Sequence, residues 1–165
     1  MRNPTGKETL LPHFIAKIQG KYDLIVIDCS PTDSILTDAA YHCSRYVLVP
    51  IRLEFLAAIG FPLLNRSIKA FQIRHEDKVI EVCGLVFNDY ARGDVKRENK
   101  VVRKEVRDRA KEYGWHVFDR DIPHSDSYFQ AARDGMPIEI TKGTHAKVKD
   151  EFSAFAEEFF NKIGL

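Results

Sequence analysis

Asp28 is the carboxylate in this chain best placed to do chemistry. It ends the apolar run Leu24-Ile25-Val26-Ile27, and the pair Ser30-Pro31 turns the backbone just beyond it. Consecutive apolar residues, mostly β-branched, read as a strand buried on both faces, as in a parallel sheet. Ligands in open α/β sheets bind beyond the carboxyl ends of strands. An acid at such a tip can hold Mg²⁺, directly or through water, beside a nucleotide phosphate. The same position also suits an aspartate that merely caps the following turn or helix. The segment by itself is equally compatible with both roles.

A second set of chemistry-bearing residues is cationic. The stretch from Lys96 to Tyr113 contains no Gly or Pro and reads as a helix. At about 100° per residue, Lys96, Lys100, Arg103, Lys104, Arg107 and Lys111 share one arc. Val102, Val106, Ala110 and Tyr113 fall on a second arc, and Glu98, Glu105, Asp108 and Glu112 on a third. A line of cations opposite an apolar face suits a polyanion such as the DNA backbone. It equally describes a solvated helix laced with i,i+4 charge pairs, since acids flank the line. No aromatic residue interleaves with the cations, which argues against single-stranded or base-specific readout.

Asn88 is the third candidate. It closes the predicted strand Val79 to Phe87, and its side-chain amide offers the donor and acceptor that match the edge of adenine. An Asx-turn into Asp89-Tyr90 is the alternative use of the same side chain.

Elements that would position these residues are legible along the chain. A helical stretch Thr32 to Cys43 precedes a buried strand at Tyr46-Val47-Leu48-Val49-Pro50, and a long helix follows from Glu54 to near Phe71. Beyond the basic helix, Gln130 to Arg133 reads as a short helix stopped by Gly135 and Pro137. The last helix, about His145 to Ile163, aligns Val148, Phe152, Phe155, Phe159 and Ile163 on one face. Its polar face is acidic (Asp150, Glu151, Glu157, Glu158), which argues against membrane binding. With 165 residues, 44% of them hydrophobic, a single domain over 1–165 with its own core is expected. The predicted architecture is a three-layer α/β/α fold with a mainly parallel sheet of about four strands. Three widely spaced cysteines fit neither a disulfide framework nor a zinc site, so reduced thiols and a cytoplasmic location are expected.

The order YDLIVIDCSP, YVLVPIRLEFLAAIGFPLL, GLVFND and DIPHSDSYFQAARDGMPI resembles the second half of the ParA/MinD (Soj-like) family of deviant Walker ATPases, across about Leu10 to Phe160. That resemblance implies the SIMIBI-type P-loop fold. It also implies ATP and Mg²⁺ as cofactors, with Asp28 as the catalytic and metal-binding acid and Asn88 and Pro123 against the adenine. An ATP-dependent homodimer, non-specific duplex DNA and a ParB-like partner protein complete the implied picture of a partition ATPase. The chain departs from the family at His124 and at Gln130-Ala131-Ala132, and no Gly-rich phosphate loop is matched. Its nearest candidate, Pro4-Thr5-Gly6-Lys7-Glu8-Thr9, has no upstream apolar strand and carries Glu where Ser or Thr would bind Mg²⁺. The chain is therefore expected to be a C-terminal portion, inactive in hydrolysis by itself. The alternative is a non-hydrolysing remnant that serves as a DNA- or protein-interaction module. A flavodoxin-like receiver also places acids at strand tips, but the later Thr/Ser and Lys it needs are not found.

Overall fold

The computed structural model describes residues 9–29, 34–53, 59–88 and 97–165, the side chains of 97–99 excepted. It divides into two compact units: Met1–Val47 with Leu63–Glu81, and Leu48–Pro62 with Val82–Leu165.

In the first unit, α1 (Leu10–Ile18) runs into a 3₁₀ turn at Gln19–Lys21, and α2 (Ile35–Cys43) follows. The sequence reading placed no element at α1, which contains Pro12. Pro12 stands in the first turn, where its missing N–H would have had no helical partner anyway. Ser34 caps α2 by accepting the Thr37 N–H at 3.4 Å. Strand β1 (Tyr46–Arg52) begins in this unit, and α3 (Gly60–Arg74) lies mostly within it. Tyr41 on α2 meets the fully buried Phe71 on α3 edge to face at 5.3 Å. The pair Arg74–Asp38 at 3.0 Å ties the same two helices at their rim.

The expected strand at Leu24–Asp28 does not form among the described residues. Exposure alternates along it: Tyr22 is 61% and Val26 78% exposed, whereas Ile25 and Ile27 are half-buried. The residues alternate as a strand's would, but a strand also needs a neighbour to close its ladder. Propensity alone does not supply one.

The second unit is built on β2 (Glu81–Asn88), whose residues Val82 to Phe87 are all buried. β1 pairs with β2, and Pro50, which has no N–H to donate, sits in the strand that borders the described sheet. On the other side, segment 116–122 runs parallel to β2 through bridges Leu85–Val117 and Asn88–Ile122. The expected sheet of about four strands is thus two named strands and one bridged segment among the described residues. Successive side chains of β2 point to opposite faces. On one face Val86 packs with Phe118 and with Phe155 of α6 (Ala146–Ile163). On the other, Phe87 lies under Arg103 and Arg107 of α4 (Arg97–Glu112). Gly84 is required by the first face, since a Cβ there would come 2.5 Å from the Phe118 ring.

The predicted bounds of α4 and α6 hold to about a residue, whereas the helix between them begins at Asp126, four residues before the expected Gln130. Val102, Val106 and Ala110 are buried, so the apolar arc of α4 is its packing face. α5 (Asp126–Asp134) ends at Gly135, whose φ of 64° is the left-handed conformation that glycine adopts without strain. α5 then packs on α6 through Ala131, Ile138 and Val148.

Candidate functional site

Asp28 and its neighbour Cys29 are exposed at the end of the unpaired 22–28 segment. The Cys29 thiol is held above its ordinary pKa, first by partial desolvation and then by the adjacent Asp28 carboxylate. A raised pKa leaves less thiolate, and so a weaker nucleophile, at a given pH.

In the second unit the chain assembles Asn88 and Pro123 side by side. The Leu85 N–H donates to His116 O at 2.9 Å, the Phe118 N–H to Leu85 O at 2.9 Å, and the Ile122 N–H to Phe87 O at 2.8 Å. These bonds carry the register along β2 until Asn88 bridges Ile122 in parallel. Pro123 comes next, buried and without an N–H, so the ladder stops there and the chain turns away. Ser125 then caps α5 by accepting the Ser127 N–H at 3.3 Å. An amide and an apolar imino ring thus share the carboxyl end of β2, at the tip where α/β sheets bind ligands. His124 is exposed, with Nε2 3.4 Å from Asp126 Oδ1 and its ring 6.0 Å from that of Phe129.

The cationic line on α4 separates into two kinds of residue. Lys96 lies outside the described residues. Lys100, Lys104, Arg107 and Lys111 are exposed. Lys104 is bonded to Asp108 at 2.6 Å, one turn on, and this hydrogen bond, more than the charge alone, raises its pKa. Arg103 turns inward: its Nη1 lies 2.7 Å from Asp121 Oδ2, with side-chain exposures of 21% and 18%. Its guanidinium also covers the Phe87 ring at 4.5 Å, and that of Arg107 lies 5.2 Å from the same ring. Arg103 therefore ties α4 to the segment that carries Ile122 and Pro123.

Two residues that hold this segment were given no such role from sequence: Asp121 stood only within the DIPHSDSY stretch and Glu158 only on the acidic face of the last helix. Glu158 on α6 accepts the Asp119 N–H at 2.8 Å and the Arg120 N–H at 2.9 Å, and lies 3.6 Å from His116 Nε2. Partners this far apart in the chain leave no periodic signal. Among the described residues no helix is long and apolar enough to cross a membrane.

Known proteins resemble this chain in sequence and in fold. A family model described as an AAA domain matches residues 1–81. The chromosome-partitioning ATPase Soj of Treponema pallidum is 27% identical over 132 residues, covering 80% of this chain and 50% of Soj. The chromosome partitioning protein ParA of Caulobacter vibrioides is 28% identical over 122 residues, 74% of this chain and 43% of that protein. Over three-quarters or so of its length the chain is thus similar in sequence to Soj and ParA partition proteins. The crystal structure of a cobyrinic acid a,c-diamide synthase from Mycobacterium smegmatis, with bound ATP analogue and magnesium, shares the fold. It superposes with a TM-score of 0.69 at 24% identity, covering 93% of this chain and 53% of that one. The chain spans about half the length of the curated relatives it matches.

Proposed function

We propose that this chain carries part of the nucleotide site of a ParA-like partition ATPase. The reading assigns Asp28 to Mg²⁺, Asn88 and Pro123 to the adenine of ATP, and the outward cations of α4 to duplex DNA without base specificity. A ParB-like partner protein and a homodimer belong to the same reading. The observation that carries it is the parallel bridge from Asn88 to Ile122, which sets an amide and Pro123 at one strand end. A planar purine needs this combination: edge hydrogen bonds from the amide and an apolar surface beside them. The bound ATP analogue and magnesium of the synthase are in keeping with a nucleotide role for this fold.

Mg²⁺ fits the Asp28 tip by chemistry, because a hard cation takes carboxylate oxygen and keeps several waters. When bound, it would neutralise charge on the β- and γ-phosphates. These residues by themselves bind and orient. Phosphoryl transfer further needs cations and backbone N–H groups around the γ-phosphate, and no matched loop in this sequence supplies them. The second reading is a non-hydrolysing module that keeps the interaction surfaces.

Fluorescent ATP titration tests the proposal. Asn88→Ala is expected to weaken binding by about one hydrogen bond's worth, roughly 1 kcal/mol, or about fivefold. Equal affinity in both forms would remove Asn88 from the site. ATP turnover by this chain, lost on Asp28→Ala, would show the module reading wrong.

A further inference from the structure

His42 and His75 come from separate elements of the first unit and share one wall. His42 lies in the last turn of α2, and His75 is the first residue beyond α3. Their ring centroids are 4.2 Å apart at 67°. The fully buried Phe71 ring lies 5.0 Å from His42 and 4.7 Å from His75. Contact with the Phe71 ring limits the space in which either imidazole can turn, and a modest separation of the two rings would let both face one ion. Both histidines are half-buried and keep some access to solvent.

The surroundings favour a cation. Each imidazole stands at a helix C-terminus, where the final carbonyls concentrate partial negative charge. Nearby acids and thiols are otherwise engaged: Asp38 is bonded by Arg74 at 3.0 Å, and Cys43 donates its S–H to the Ala39 and Ala40 carbonyls at 3.1 and 3.5 Å. Burial raises the Cys43 pKa, opposed by a backbone hydrogen bond and by Lys78 and assisted by Cys29. Among the described residues no group of three or more His, Cys, Asp or Glu side chains gathers to hold a metal.

We infer that His42 and His75 form a two-imidazole site for a divalent transition-metal ion of the zinc class, with water completing the coordination. Imidazole nitrogen selects Zn²⁺, Cu²⁺, Ni²⁺ or Co²⁺ over Mg²⁺ and Ca²⁺, which prefer oxygen. Each ring coordinates through one nitrogen and keeps the other for a hydrogen bond. The ion joins the C-terminal ends of α2 and α3 and stabilises this unit by mass action.

Calorimetric titration of the full chain with Zn²⁺, in excess Mg²⁺, tests the inference. One Zn²⁺ per chain is expected. His42→Ala and His75→Ala should each weaken it at least about tenfold, and His145→Ala, a histidine outside this unit, should not. Histidine ring NMR on the unaltered chain provides a readout independent of whether the variants fold: Zn²⁺ should shift His42 and His75 together. Parental Zn²⁺ affinity in both variants, or Zn²⁺-induced shifts only at other histidines, would overturn the site.

Discussion

Replacing Arg103 by Ala separates a structural cation from a solvated one. The side chain sits 2.7 Å from Asp121, and both partners are about four-fifths buried. Asp121 Oδ1 is already buried without a hydrogen-bond partner, so loss of Arg103 strands the whole carboxylate. Removing one partner from a fully buried pair costs about 3–5 kcal/mol, and from an exposed pair about 0–1 kcal/mol. Exposures of 21% and 18% place this pair between those limits, at roughly 2 kcal/mol. Loss of the guanidinium over Phe87 adds about 0.5–1 kcal/mol. A total near 2–3 kcal/mol should lower the unfolding midpoint by roughly 4–12 °C for a chain of this size. The single tryptophan provides the assay, since Trp115 stacks on Tyr113 at 4.8 Å within the second unit and its fluorescence follows that unit's unfolding. Lys104→Ala, on the same helix but fully exposed, is the control and should not move the midpoint. Adding Asp121→Ala to Arg103→Ala should recover part of the loss, because it removes the stranded charge. Identical midpoints for Arg103→Ala and Lys104→Ala would refute the structural role.

Three further outcomes follow from the same geometry. If α4 contacts duplex DNA, Lys100→Glu with Lys111→Glu should weaken binding to two unrelated duplexes alike. It should also flatten the log–log salt dependence by about 0.9 per lost phosphate contact; unchanged anisotropy titrations would mean the stripe is only a solvated face. Gly84→Ala forces a methyl to 2.5 Å from the Phe118 ring inside the Val86–Phe155 cluster. Overpacking of this kind costs about 1–3 kcal/mol, and urea unfolding at parental midpoint would contradict it. The unpaired 22–28 segment, with Val26 78% exposed, should drive concentration-dependent self-association that Val26→Lys suppresses. A monodisperse monomer across the concentration range in sedimentation would count against it.

Local pattern determined much of this protein. The apolar arc Val102, Val106 and Ala110 foretold the buried side of α4, and Gly135 foretold where α5 ends, because helix periodicity and left-handed caps depend on residues within a few positions of each other. Buried β2 was legible for the same reason, as was Asn88 at its end. Tertiary structure decided the rest. Leu24 to Ile27 has a strand's composition yet forms no ladder among the described residues, since a ladder needs a second strand that no local pattern provides. Arg103 lay on the outward arc by its angle, but its partners Asp121 and Phe87 are distant in the chain, and they draw it off the stripe. Glu158 clamps the Asp119–Arg120 backbone, and His42 meets His75, across separations that carry no periodicity. Sequence spacing encodes which face a residue takes on its own element; only packing decides what that face meets.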